Sequence, residues 1–192
     1  MGKFDFDDSQ IEPRDKTQPR DNLLDFDDDL AFGYFFKDLV VLLLDKSGYQ
    51  VYPYGYESFF PNLKRSLRGS SKVVERVRST PDLLVINSSS NDVYLVEVKA
   101  RSTPAGRRFR IKGINLYKQF WRESVIVIVL SSGNHFYAQH VSELDNSEMY
   151  DLTNFRPLEE VFPKVTELSP AFRIKMVRKA MTLFRARDCG NL

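Results

Sequence analysis

Residues 80–99 read TPDLLVINSSSNDVYLVEVK, which is two apolar runs on either side of the polar cluster at residues 88–91. Branched and aromatic residues that flank Ser, Asn and Asp in this way predict a β-hairpin with a four-residue loop. If Asn87 pairs with Asp92 across that loop, any two residues whose numbers add up to 179 lie opposite each other. One residue more or less in the loop would turn one strand's side chains to the other face, so the whole site hypothesis depends on this register.

The predicted register puts three charged side chains together at the open end of the hairpin. Asp82 lies directly opposite Glu97, with Cβ atoms about 5 Å apart. Lys99 is two residues beyond Glu97 and therefore shares its face, at about 7 Å. Two facing carboxylates repel each other unless a cation neutralises them, and Lys99 supplies only part of the positive charge needed. Mg²⁺ would supply the rest, so the three residues predict metal-assisted hydrolysis of a phosphodiester.

The segments around the hairpin predict helices and strands in an order typical of an α/β fold with a mixed central sheet flanked by helices. An apolar-rich helix is predicted first, and the all-apolar run VIVIVL after the hairpin predicts a central strand. The predicted helices cover residues 28–47, 61–68, 113–123, 158–162 and 170–187, and the strands cover 49–56, 72–78, 82–87, 92–99, 124–131 and 135–141.

Charge is distributed unevenly along the 192 residues. Residues 1–29 hold ten acids and four bases, a net charge of −6, so the remainder carries +8. We interpret residues 1–26 as an acidic mobile tail and residues 27–192 as a single domain whose basic surface could attract a polyanion. A single cysteine rules out an intrachain disulfide, and no apolar run is long enough to cross a bilayer. The expectation is an intracellular, cytoplasmic protein without a membrane partner.

The motif Thr80-Pro81-Asp82, followed after fourteen residues by Glu97-Val98-Lys99, resembles the PD-(D/E)xK nuclease superfamily. The resemblance extends over about residues 28–141 and is closest in style to archaeal-type Holliday junction resolvases and related virus-encoded nucleases. It implies a restriction-endonuclease-like core, Mg²⁺ as cofactor with Mn²⁺ as a substitute, DNA as partner with branched DNA favoured, and a homodimer.

The resemblance also implies roles for individual residues. Asp82 and Glu97 would bind the metal with help from the main-chain carbonyl of Val98, and Lys99 would act on the nucleophilic water. Gln119, on the following helix, resembles a polar residue that several members place near the site.

One residue departs from the pattern of the resolvase-like members. They carry a Glu on the first helix four residues after a Gly, whereas counting from Gly33 leads to Lys37. Asp38 is adjacent but would point about 100° away around the helix. Glu57, after the first strand, is the other candidate for an extra acidic ligand.

Basic residues near the predicted site are candidates for holding a phosphate backbone. The function predicted is a Mg²⁺-dependent DNA endonuclease. Two alternatives stay open, namely a non-catalytic nucleic-acid-binding protein that keeps the fold and a restriction- or repair-type nuclease that cuts ordinary duplex. The candidate nucleic-acid-binding residues are Lys37, Arg101, Arg107, Arg108, Arg110 and Lys112.

Overall fold

The computed structural model describes residues 21–56, 67, 69–101, 108–130, 136–147 and 149–188. The helices are α1 (Asp21–Lys46), α2 (Lys72–Arg78), α3 (Ile114–Phe120), α4 (Leu158–Val161) and α5 (Pro170–Asp188). The strands are β1 (Gln50–Pro53), β2 (Leu83–Asn87), β3 (Asp92–Arg101), β4 (Phe109–Arg110), β5 (Val125–Leu130), β6 (Phe136–His140), β7 (Met149–Tyr150) and β8 (Arg156–Pro157).

Six strands form the main sheet, in the order β1-β2-β3-β5-β6-β8, and β4 pairs with β7 in a separate two-stranded sheet. Within the main sheet β3 and β5 run parallel, whereas the other neighbours are antiparallel. This confirms the predicted α/β class with a mixed sheet. It also confirms β5 as a central strand, because all six of its residues are buried.

The β2–β3 hairpin has the predicted register. Asn87 pairs with Asp92 and Leu83 pairs with Val96, so the residue numbers of each pair add up to 179. Residues 88–91 form the loop, and Asn91 adopts a left-handed conformation with φ of 62°. Asparagine tolerates that conformation better than most residues, which helps to hold the loop at four residues.

Helices cover both faces of the sheet, and each face has its own core. On one face α1 buries Phe36, Val40 and Leu43 against Val96 and Val127 of the sheet. On the other face α3 packs with the alternate residues of the same strands. That second core includes Ile114, Tyr117, Trp121, Ile126 and Ile128.

Helix α1 begins earlier than predicted. The sequence predicted a start at residue 28, but the helix begins at Asp21, so residues 21–26 belong to it rather than to the tail. Its buried residues recur every three to four positions through Leu44, as expected for a helix with one face in the core. The helix ends at Lys46, close to the predicted end at residue 47, and the turn that follows contains Gly48, whose φ of 82° suits glycine.

The prediction of a strand at residues 72–78 was wrong, because this segment is helix α2. Its valines favoured the strand interpretation, yet none of its residues is buried. The hydroxyl of Ser71 accepts a hydrogen bond from the amide of Val74 at 3.3 Å and caps the helix. Glu75 in the first turn and Arg78 in the last also suit the helix dipole.

The other predicted elements that the structure describes fall near their observed positions, most with shorter bounds, although β3 extends to Arg101 and α5 to Asp188. Strand β1 ends at Pro53 rather than at residue 56, because the amides of Tyr54 and Gly55 both donate to the same carbonyl, that of Asp82. Residues 1–20 of the predicted tail, and residues 61–68 except Leu67, lie outside the described residues. None of the helices in the described ranges combines the length and the apolar character needed to cross a membrane.

Candidate functional site

The open end of the β2–β3 hairpin brings together the residues that the register predicted. We call Lys37, Asp82, Glu97 and Lys99 the hairpin-end site. Asp82 immediately precedes β2, whereas Glu97 and Lys99 lie on β3. Glu97 and Lys99 form an ion pair, and the negative charge of Asp82 raises the pKa of Glu97. The prediction that Asp82, Glu97 and Lys99 form one cluster therefore agrees with their positions.

Asp82 is held by its backbone and by one carboxylate oxygen. Its carbonyl accepts hydrogen bonds from the amides of Tyr54 at 2.8 Å and Gly55 at 3.1 Å. The β2–β3 ladder ends at Leu83 and Val96, and beyond it the amide of Val98 donates to Asp82 Oδ2 at 3.0 Å. This hydrogen bond fixes the carboxylate against β3 and leaves Oδ1 directed to other partners.

Glu97 is the most buried member of the site, with 5% of its surface exposed. Burial is the main cause that raises the pKa of its carboxyl to about 7, and the charge of Asp82 raises it further. Lys99 opposes this shift through its charge and its hydrogen bond to Oε1, and a hydrogen bond with Tyr117 also lowers the pKa. Near neutral pH the Glu97 carboxyl is therefore partly protonated.

Lys99 has a fixed position because it contacts two side chains. Its ammonium group donates to Glu97 Oε1 and lies 5.7 Å from the centre of the Tyr117 ring. The side chain remains 23% exposed, so a water molecule or a phosphate can approach the ammonium. An ammonium in this position can orient a water molecule and stabilise a developing negative charge.

Helix α1 reaches the site through Lys37, the residue that stands four positions after Gly33. Its Nζ lies 3.9 Å from Asp82 Oδ1 and 4.9 Å from the centre of the Tyr34 ring. The first helix thus contributes a cation at the position where the resemblance implied an acid. Asp38 is exposed on the same helix and takes no part in these contacts.

Two other candidates are not brought into the site by any described contact. Gln119 lies on the exposed side of α3, and Glu57 lies outside the described residues. The residue of α3 that does contact the site is Tyr117, two positions before Gln119 and therefore about 200° away around the helix. Ile114, Tyr117 and Trp121 form an apolar stripe at helical spacing in the sequence, and this pattern is the signal that could have identified Tyr117 as facing the sheet.

The candidate phosphate-binding residues after β3 differ from one another. Arg101 is partly buried and donates to the carbonyls of Ala100 at 2.6 Å and Arg110 at 3.1 Å. Burial lowers the pKa of its guanidinium. Arg101 thus links β3 to β4 through its hydrogen bond to Arg110. Because it is two residues after Lys99 on β3, it lies on the same face of the sheet as Lys99. Arg108, Arg110 and Lys112 are exposed, and Arg107 lies outside the described residues.

The donor atoms of the site fit Mg²⁺. Asp82 Oδ1 and the Glu97 carboxylate are hard oxygen ligands. The Val98 amide points towards Asp82, and because a strand residue presents its N–H and C=O on one side, the Val98 carbonyl points to that side as well. A divalent cation would favour the ionised form of Glu97, whose pKa is raised chiefly by burial. In the part of the chain that the structure describes, no three His, Cys, Asp or Glu residues cluster as a metal site. Mg²⁺ commonly binds to only one or two carboxylates and keeps several water ligands.

The Asp82 carboxylate is expected to stabilise the hairpin end independently of any metal. Asp82→Ala leaves the Val98 amide without its acceptor and should lower the free energy of unfolding by about 1–2 kcal/mol, whereas Asp82→Asn, which keeps an oxygen acceptor, should cost less. Urea unfolding in EDTA at pH 5.5, where Glu97 is mostly protonated, measures both. Asp45→Ala on the exposed side of α1 is the control, with a change within about 0.5 kcal/mol. Equal stability of the two Asp82 variants would contradict this role.

Comparison of the chain with protein-family models and with curated proteins found no match.

Proposed function

We propose that this chain is a Mg²⁺-dependent DNA endonuclease with a restriction-endonuclease-like core. The observation that supports this most directly is the pairing register of the hairpin, which sets Asp82 beside Glu97 and Lys99 at the ends of two neighbouring strands. A buried Glu97 carboxylate beside the partly exposed carboxylate of Asp82, with Lys99 adjacent, has the chemistry required to hold a divalent cation beside a phosphodiester.

Each residue has a distinct role in the proposed reaction. Mg²⁺, when bound, polarises the phosphodiester and lowers the pKa of water. Asp82 Oδ1, Glu97 and the Val98 carbonyl would hold the cation, and the Val98 amide keeps the Asp82 carboxylate oriented. Lys99 positions the water and stabilises negative charge on the phosphate. Tyr117 supports Glu97 and Lys99 from α3.

The exposed basic residues that follow β3 support nucleic acid as the substrate. Arg108, Arg110 and Lys112 lie after the strand that carries Glu97 and Lys99, and contacts from such residues to phosphates do not depend on base sequence. Branched DNA as the favoured substrate and a homodimer as the working form belong to the proposal through the resemblance to junction resolvases.

A cleavage assay with Mg²⁺ on duplex, single-stranded, flap and four-way-junction DNA tests the proposal. We expect cleavage of at least one substrate, loss of product in EDTA, and loss of product with Glu97→Ala. Preference for the junction supports the resolvase-like reading, and preference for plain duplex supports the restriction- or repair-type alternative. Cleavage that survives Glu97→Ala would place the active site elsewhere and contradict the proposal.

One observation favours a second candidate, a nucleic-acid-binding protein without catalysis. Lys37 contacts Asp82 and Lys99 contacts Glu97, so the two carboxylates and two ammonium groups balance in charge without a metal. DNA binding with no product from any substrate, at any Mg²⁺ concentration, would support this candidate.

A further inference from the structure

Lys37 connects α1 to the hairpin-end site, and the reaction proposed above gives it no role. Its ammonium lies 3.9 Å from Asp82 Oδ1, the oxygen that the Val98 amide leaves available. The lysine side chain is 21% exposed and that of Asp82 is 27% exposed, so both can be reached from solvent. The same oxygen is the one that Mg²⁺ would need.

A cation and Lys37 therefore compete for one carboxylate oxygen. Two positive groups that share Asp82 Oδ1 repel each other, so a bound Mg²⁺ favours movement of the ammonium away from Asp82. A phosphodiester anion offers the displaced ammonium a new partner. The Tyr34 ring, 4.9 Å away, also contacts the ammonium and helps to keep it near the mouth of the site.

We propose that Lys37 is a substrate-positioning residue that pairs with Asp82 in the free protein and transfers to a DNA phosphate when Mg²⁺ and DNA bind. This inference rests on the proposed function. It means that Lys37 weakens Mg²⁺ binding in the absence of DNA and strengthens DNA binding once the cation is present. Cation and DNA consequently favour each other's binding, because each removes an obstacle to the other.

The first test is calorimetric titration of Mg²⁺ into the DNA-free, EDTA-stripped protein. Lys37→Gln should bind Mg²⁺ about tenfold more tightly than the wild type, because Asp82 loses its competing cation. Lys46→Gln is the matched control, since Lys46 also lies on α1 and contacts a carboxylate, that of Asp45 at 3.7 Å. An Asp82→Asn/Glu97→Gln double variant should not bind Mg²⁺ at the hairpin-end site. Binding that this variant loses is therefore binding at that site.

The second test measures DNA binding by fluorescence anisotropy with Mg²⁺ present. A Lys99→Met background slows cleavage enough for binding to be measured before product accumulates. Adding Lys37→Gln should weaken binding and reduce the slope of log affinity against log KCl concentration by about one, as expected for one lost phosphate contact. Adding Lys46→Gln should change neither quantity.

The outcomes separate this inference from the proposed function. If wild type and Lys37→Gln bind Mg²⁺ equally, and the double variant does not bind, the metal site stands and the role of Lys37 is contradicted. DNA affinity and salt slope unchanged by Lys37→Gln would likewise contradict the transfer to phosphate. Absence of Mg²⁺ binding in every variant would contradict the proposed function and this inference with it.

Discussion

Lys99→Met is expected to reduce the rate of Mg²⁺-dependent DNA cleavage by about 10²–10³-fold, the usual cost of removing one group that stabilises charge in a transition state. Methionine keeps an unbranched side chain of similar length, which can still pack on the Tyr117 ring but carries no charge. The loss should appear in the single-turnover rate with DNA in saturating Mg²⁺.

Two further variants show whether the charge or its position matters at residue 99. Lys99→Arg keeps the charge but replaces a compact ammonium by a planar fork, so partial activity is expected. Lys46→Met removes an exposed lysine from α1 and should leave cleavage unchanged. Because Lys99→Met leaves Glu97 without its cation, thermal unfolding must show that the variant is folded at the assay temperature. A folded Lys99→Met protein that cleaves at the wild-type rate would exclude Lys99 from the reaction.

The hairpin end could be predicted from sequence because its geometry is local. The loop of residues 88–91 fixes which residues face each other, and alternation along a strand then determines the faces. Asp82, Glu97 and Lys99 lie within eighteen consecutive residues, so no long-range contact had to be known to group them.

Residues that reach the site from other elements were harder to predict. Counting from Gly33 identified position 37, but the contact of its ammonium with Asp82 depends on how α1 packs across the sheet. Gln119 was chosen on α3 by resemblance, whereas the helix turns Tyr117 toward the sheet. In this case the apolar stripe predicted orientation better than the motif did.

Short segments with mixed signals explain the remaining differences in the fold. The valines of residues 72–78 suit a strand, yet the Ser71 cap favours a helix, and none of the residues of α2 is buried as those of a central strand would be. The two-residue strands β4 and β7 pair across about forty residues of sequence, so their partnership depends on tertiary packing. Strands of only two residues are too short to show a sequence periodicity, so their pairing could not be predicted in this way.

Glu97→Gln is expected to change how the stability of the metal-free protein depends on pH. The pKa of Glu97 is raised to about 7 by burial and by Asp82, whereas in the unfolded chain it returns to its ordinary value of 4.5. Between these pH values the native state holds a proton that the unfolded state has released. The stabilising contribution is therefore complete below pH 4.5 and is lost as pH rises through 7.

The size of the effect follows from the difference between the two pKa values. Each unit corresponds to about 1.4 kcal/mol, so deprotonation of buried Glu97 costs the wild type roughly 3 kcal/mol between pH 4.5 and pH 8. Glutamine has the shape of the protonated acid and does not titrate, so the variant avoids this loss. The stability of Glu97→Gln relative to the wild type should consequently be higher at pH 8 than at pH 5, by up to that amount.

Urea unfolding in EDTA at pH 5 and pH 8 measures this difference, with Glu143→Gln as a control at an exposed glutamate whose side chain is 41% accessible. If the difference in stability between Glu97→Gln and the wild type is the same at both pH values, the carboxyl does not carry the raised pKa.

Adding Mg²⁺ at pH 8 extends the experiment to the proposed function, because a ligand that binds only the native state stabilises it. The wild type should then recover stability while Glu97→Gln does not, since the ionised carboxylate that destabilises the metal-free protein is the one that holds the cation.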